Sequence, residues 1–127
     1  LQVKKRESFR PFAPAVPLEC LDNYFELKVP SPFMLKVCDV RSGFRSMFPA
    51  VVHVDGSARV QSVDQTINPL FHDLLVAFGR KSGHPVLLNT SFNVMGEPIV
   101  ESPAQALKCF FTTGMDALII GSFILRK

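Results

Sequence analysis

Apolar residues along the chain fall into two regimes. As far as Val63 they come in short stretches rich in β-branched and aromatic residues and cut by proline, which is a strand pattern. Beyond Val63 they alternate between helical spacing and short apolar runs. Pro11, Pro14 and Pro17 punctuate the first apolar stretch and predict an extended, irregular strand laid across the domain. Tyr24–Val29 and Phe33–Val40 read as strands separated by the Pro30-Ser31-Pro32 break. Ala50–Val54 and Ala58–Val63 flank Asp55-Gly56-Ser57 and predict a β-hairpin, because Asp-Gly supplies the positive φ of a tight turn. In that hairpin His53 and Arg59 sit on either side of the turn.

The second half carries explicit helix punctuation. Asn68-Pro69 is an N-cap followed by proline at the first helical position, and Leu70, Phe71, Leu74, Leu75 and Phe78 repeat at helical spacing until Gly79 and Gly83. Pro85–Asn89 is an apolar strand and Asn89–Pro98 a polar loop containing glycine. Ser102-Pro103 repeats the cap and opens a second helix through Leu107, Phe110 and Phe111. Ala117–Ile120 and Ser122–Leu125 close the chain as two short strands bent at Gly121. The pattern predicts an α/β (α+β) fold, a twisted mixed sheet with packed helices, in a single domain of 127 residues.

Composition narrows the setting. The chain is 47% hydrophobic and 20% charged, and no apolar run approaches the roughly 18–20 residues of a membrane span. The opening Leu1–Arg10 carries Lys4, Lys5, Arg6 and Arg10 without the apolar stretch of a secretory signal, so the expected location is cytoplasmic with no membrane partner. A first residue that is not methionine fits either processing or an excised fragment of a longer protein, and the fragment is the expectation carried forward. Cys20, Cys38 and Cys109 are odd in number and far apart, which suits a reducing compartment better than a disulfide framework. His53, His72 and His84 lack zinc-ligand spacing, so no metal ligands are assigned. The net charge of +3 is concentrated in the opening segment, Arg41–Arg45 and Arg59. That distribution suits a local anion site; nucleic acid calls for a denser basic stripe and is not expected.

The strongest site candidate is the loop Asn89-Thr90-Ser91-Phe92-Asn93-Val94-Met95-Gly96-Glu97-Pro98, since strand ends of α/β sheets are where ligands are held. Ser91 and Asn93 are two apart, so in extended chain they share a side and both can grip an oxyanion. Gly96 lets the backbone approach a ligand. Arg6 and Arg10, with Lys5 beside them, offer guanidinium forks to phosphate or carboxylate. Arg41 and Arg45 flank Gly43 in another polar loop, where they either reach the same anion or keep the surface solvated. His53 and Asp55 can meet at the turn as an acid–base pair, although an aspartate capping its own turn is the commoner arrangement. The chain has no GxxxxGK[ST], GxGxxG or GxSxG motif.

Several stretches together resemble the C-terminal region of the O-carbamoyltransferases of nodulation-factor and antibiotic biosynthesis. They are Arg6–Pro14 (RESFRPFAP), Ser31–Met34 (SPFM), Ala50–Val63 with its HVDGSARVQSV core, Asn89–Val100 (NTSFNVMGEPIV) and the Ser102–Gly121 tail. Ser57 and Ser62 stand where threonine is expected. The resemblance implies a YrdC/Sua5-like fold, whose signature pairs a basic KxR-like element with a SxN element; Ser91-Phe92-Asn93 matches the second, and Arg6 and Arg10 are nominated for the first. It further implies ATP-dependent activation of carbamoyl phosphate, in which carbamate attacks the α-phosphate of ATP to give carbamoyl-adenylate and pyrophosphate, with Mg2+ accompanying the nucleotide. An N-terminal actin-like domain of the same enzyme is the implied partner that passes the carbamoyl group to a hydroxyl. On this reading Arg6, Arg10 and Lys5 take carbamoyl-phosphate and triphosphate oxygens. Ser91 and Asn93, with Thr90 and Gly96, take nucleotide phosphates, while His53, Arg59, Arg41 and Arg45 support them. The alternative expectation is a non-catalytic YrdC-like module that binds nucleotide or RNA, or that braces its partner.

Overall fold

A computed structural model describes residues 11–127, and by its contacts the chain divides into two compact units, Pro11–Thr90 and Ser91–Lys127. The architecture is mixed α+β, as the pattern predicts.

In Pro11–Thr90 the proline-punctuated stretch forms β1 (Ala13–Pro17), extended as expected but central: it is buried along its whole length and lies between two neighbours. One is the parallel strand β4 (Gln61–Val63), the other the antiparallel strand β5 (Leu87–Asn89). Two prolines in a central strand remove two ladder donors. The cost is contained because each ladder is only three residue pairs long and the two are offset along β1.

The predicted helix is present as α2 (Pro69–Ser82). Asn68 Oδ1 accepts from Phe71 N–H at 3.2 Å at its start, and Gly83 ends it with φ 85°, its N–H donating to Gly79 O at 2.8 Å. Its buried face carries Leu75, which with Phe71 closes over Ala15, Val63 and Leu87 of the sheet. Full burial of a leucine of this kind stabilises by about 1.5–3 kcal/mol. The larger cluster of the unit gathers Val16, Leu21, Tyr24, Phe25, Val40, Ala58, Val60 and Val86.

Three strand expectations are corrected here. Leu21–Tyr24 is a single helical turn, α1, so of the expected strand Tyr24–Val29 only Phe25 pairs, in a bridge to Val40. Leu21 and Tyr24 are one helical turn apart and both face the core, and that burial decides the local conformation. Phe33–Val40 shrinks to β2 (Val37–Asp39), because the chain turns at Pro32-Phe33 and Met34 adopts φ 55°. The hairpin expected over Ala50–Val63 keeps its turn and loses its first strand. His53 N–H donates to Ser57 O at 2.7 Å and Gly56 N–H to His53 O at 2.9 Å, yet Val51 folds back on Phe48 and is buried, which takes the segment away from the ladder. Its second arm divides at the buried Val60: β3 (Ser57–Arg59) pairs with β2, while β4 runs on to β1. The Pro30–Pro32 break is stitched into the unit, since Ser31 N–H donates to Ser62 Oγ (2.7 Å) and Ser31 Oγ to Val60 O (3.0 Å).

In Ser91–Lys127 the cap at Ser102-Pro103 opens α3 (Pro103–Thr112): Ser102 Oγ accepts from Gln105 N–H at 3.3 Å, and Gln105 Oε1 accepts from Glu101 N–H at 2.8 Å. The two closing strands are β6 (Ala117–Ile120) and β7 (Phe123–Arg126), an antiparallel hairpin turning at Gly121 with φ 56°. Ala106, Phe110 and Leu118 form the core of this unit. Among the described residues no helix is long and apolar enough to cross a membrane.

Candidate functional site

The loop after β5 is built as a polar rim on an apolar anchor. Phe92 and Val100 insert into the cluster around Phe110 and Leu118, and Val100 N–H donates to Phe92 O at 2.9 Å, so the loop is pinched shut at its base. Between these anchors Ser91 Oγ donates to Asn93 Oδ1 at 2.7 Å, and Asn93 Nδ2 donates to Glu97 O at 2.9 Å. Ser91 and Asn93 therefore share a side, as their spacing predicts, and each fixes the other's orientation. Glu97 N–H donates to Val94 O at 3.1 Å across a turn that Gly96 completes with φ 83°. The space where a Cβ at Gly96 would stand has no other atom within 4 Å, so the turn faces open solvent. Further along, Glu97, Pro98, Ile99 and Val100 face Gln105 and Lys108 of α3 across a cleft of about 230 Å3, and Lys108 Nζ lies 3.4 Å from Glu97 Oε1. Thr90 is half-buried at the end of the other unit.

A second polar cluster lies at the turn before β3. Ser57 is buried, and its hydroxyl donates to Asp55 Oδ1 at 2.7 Å while lying 3.0 Å from His53 Nδ1. With the serine O–H directed at the aspartate, a hydrogen bond between His53 and Ser57 requires the proton on His53 Nδ1. The histidine is then not positioned as a base for that hydroxyl. His53 and Asp55 do come together, through Ser57. Asp55 caps its own turn by also accepting Ser57 N–H at 2.9 Å. Those two Ser57 bonds, hydroxyl first, hold its carboxyl below the usual aspartate range.

The arginines of the 41–45 loop are held by the fold. Arg41 Nε donates to Asp22 O at 2.6 Å and its Nη2 to Asp22 Oδ1 at 2.5 Å. Arg45 Nε donates to Val40 O at 2.8 Å, and its guanidinium lies flat against Gly56, so that a Cβ built there would be 2.6 Å from Nη1. Arg59 differs: it is exposed on β3, in register with Val37, and its guanidinium makes no ion pair among the described residues. Lys5, Arg6 and Arg10 lie outside the described residues.

Two further features had no sequence signal that spacing could supply. Asn89 Nδ2 donates to Gln61 Oε1 at 2.6 Å across the central strand, a reach permitted because Ala13 and Ala15 between them are small. This holds the end of β5, where the candidate loop begins, to β4. The other feature is His72, buried on α2, with Nε2 2.8 Å from Glu19 Oε1 and Nδ1 3.6 Å from Asp73 Oδ1. The Glu19 hydrogen bond, aided by both carboxylate charges, raises its pKa against the opposing pull of burial.

With this geometry in view, comparison with known proteins decides the family. Residues 1–127 match the family described as the carbamoyltransferase C-terminus. The chain belongs to that family. It is 46% identical, over all of its length, to an uncharacterized protein of Synechocystis, and covers 24% of that protein. It is 47% identical over 98% of its length to the nodulation protein NolNO of Sinorhizobium fredii, covering 19% of it. The 3'-hydroxymethylcephem-O-carbamoyltransferase of Amycolatopsis lactamdurans is 39% identical over 94% of the chain, which covers 23% of that relative. The chain thus spans about a fifth to a quarter of the length of these carbamoyltransferase-family relatives.

Proposed function

We propose that this carbamoyltransferase C-terminal chain forms carbamoyl-adenylate from carbamoyl phosphate and ATP, within a longer enzyme that carbamoylates a hydroxyl. The observation that carries the reading is the match along the whole chain to the carbamoyltransferase C-terminus, supported by a relative whose name is that of an O-carbamoyltransferase. In the reaction, water releases inorganic phosphate from carbamoyl phosphate, and a carbamate oxygen then bonds to the α-phosphorus of ATP as the bond to pyrophosphate breaks. The carbamoyl group next passes from the adenylate to the acceptor hydroxyl in the part of the enzyme outside this chain, an actin-like domain on the family resemblance. AMP leaves.

Such chemistry asks a protein for positioning and charge neutralisation more than for a nucleophile. The donor set of the loop fits phosphate: a serine hydroxyl and an asparagine amide aligned by Glu97 O, beside an open glycine turn. Ser91 would turn its proton from Asn93 Oδ1 to a phosphate oxygen, and Asn93 would hold its amide in place against the same group. Gly96 would border the phosphates, and Lys5, Arg6 and Arg10 would meet the carbamoyl-phosphate and triphosphate oxygens. Among the described residues no three His, Cys, Asp or Glu side chains gather to hold a metal. Magnesium would arrive with ATP, held chiefly by phosphate oxygens and water. The basic residues are few and local rather than a dense stripe, which supports work on small molecules rather than nucleic acid, and we place that work in the cytoplasm.

The test is pyrophosphate release by the natural protein that carries this segment, supplied with ATP and Mg2+. Release should require carbamoyl phosphate, and Asn93→Ala should lower it about 100-fold, the scale for losing one preorganised donor. Release that ignores carbamoyl phosphate, or that never appears, would end the reading.

A further inference from the structure

Helix α2 is apolar on two faces. One face, with Phe71, His72 and Leu75, is turned to the sheet. The other presents Leu70, Leu74 and Phe78, 83%, 55% and 39% exposed, extended by Ile67, 76% exposed, in the turn ahead of the helix. Spacings of three and four residues place these side chains in one stripe along the axis. Ala77 lies in the same stripe, and exposed Lys81 ends it, with no ion pair among the described residues. Aromatic and leucine side chains repeated along one helical face are a large apolar surface to leave in water, and such patches mark interaction sites.

We infer that this stripe is the seat of polypeptide from the longer enzyme outside this segment, presenting an apolar surface with a carboxylate placed to meet Lys81. Two observations choose that occupant. The matched relatives are four to five times longer than the stretch they share with this chain, which covers 24% and 19% of the first two. The second is Lys81 at the end of the stripe, exposed and without an ion pair among the described residues, which a carboxylate on that neighbour would meet. The inference stands apart from the adenylation reading, because it concerns what covers α2 and holds whatever reaction the enzyme performs.

The test uses single cysteines placed at exposed positions, Leu70→Cys and Leu74→Cys, with Gln65→Cys as an exposed control, read by maleimide labelling and peptide mass mapping. In the 127-residue chain all three sites should label quickly. In the natural protein at the length of its relatives, positions 70 and 74 should label at least tenfold more slowly while 65 is unchanged. Leu74→Asp should lower the melting temperature of the long protein and leave that of the 127-residue chain within about 2 °C, the range of a surface substitution. Equal labelling in both proteins overturns the inference. So does protection already present in the 127-residue chain: if it rises with concentration the occupant is a second copy, and if it does not the occupant is another part of the same chain. An intact long protein that melts normally with Leu74→Asp would count against it independently.

Discussion

Substituting Gly56 with alanine tests how the turn before β3 is held. Gly56 sits at φ 86°, where an L side chain costs about 1–2 kcal/mol. Its missing Cβ is also the space occupied by Arg45, whose Nη1 and Cζ would be 2.6 and 2.7 Å from the new methyl. The guanidinium must move, and moving it breaks the Nε bond to Val40 O, worth about 1 kcal/mol net. Together the two effects amount to about 2–3 kcal/mol, which for a chain of this size lowers the melting temperature by about 7–11 °C. Tyr24 is the one tyrosine and the chain has no tryptophan, so intrinsic fluorescence reports on the Pro11–Thr90 unit alone. Arg45→Ala separates the causes: in that background Gly56→Ala should cost about 1 kcal/mol less, because only the backbone strain is left. A drop of under 2 °C for Gly56→Ala, or equal drops in both backgrounds, would refute the account of Arg45 as the side chain that requires glycine there.

Two further outcomes follow from the titratable groups. His72 has a raised native pKa, so its bond to Glu19 stabilises the fold fully at pH values below the unfolded histidine pKa and is lost as pH rises through the native one. Thermal melts of the parent should therefore lose stability on the alkaline side of that range and those of Glu19→Gln should lose less; identical pH profiles would contradict it. Ser57→Ala removes a buried hydroxyl and the two bonds it makes, costing about 1 kcal/mol. It should also let the Asp55 carboxyl titrate closer to its ordinary value by NMR. Since Asp55 is held low, the stability it contributes is present above its unfolded pKa and lost as pH falls through the native one, and Ser57→Ala should flatten that acid-side loss.

Helices α2 and α3 were legible because their signals are local. An N-cap side chain, the proline after it and a left-handed glycine specify α2 within a stretch of 16 residues, Asn68 to Gly83, and Ser102-Pro103 opens α3 by the same device. The loop holding Ser91 and Asn93 was legible for a similar reason, since a spacing of two fixes a shared side. Strand partners are another matter, because pairing is decided by residues far apart in the chain. Asp-Gly at 55–56 marks a turn correctly, but whether residues 50–54 then join the ladder depends on Val51 finding the core beside Phe48, which no pattern within the hairpin encodes. β3 consequently takes β2 as its partner, twenty residues back, and β4 crosses to β1.

The same distinction governs the chemistry. Arg41 and Arg45 read alike in sequence, two cations flanking a glycine, and their spacing offered phosphate binding and surface solvation on equal terms. What separates them from Arg59 is tertiary: Asp22 is brought to Arg41 by the single turn of α1, and Gly56 is brought to Arg45 by the failed hairpin, whereas Arg59 emerges on a strand beside Val37 with no ion pair among the described residues. A cation held at both ends by the fold must give up those bonds before it can meet an anion, while one without an ion pair meets the anion at no such cost. Of Arg41, Arg45 and Arg59, the last is therefore the one whose removal should weaken anion binding while leaving the Pro11–Thr90 unit as stable as before, with phosphate titration and thermal melts of Arg59→Ala as the check.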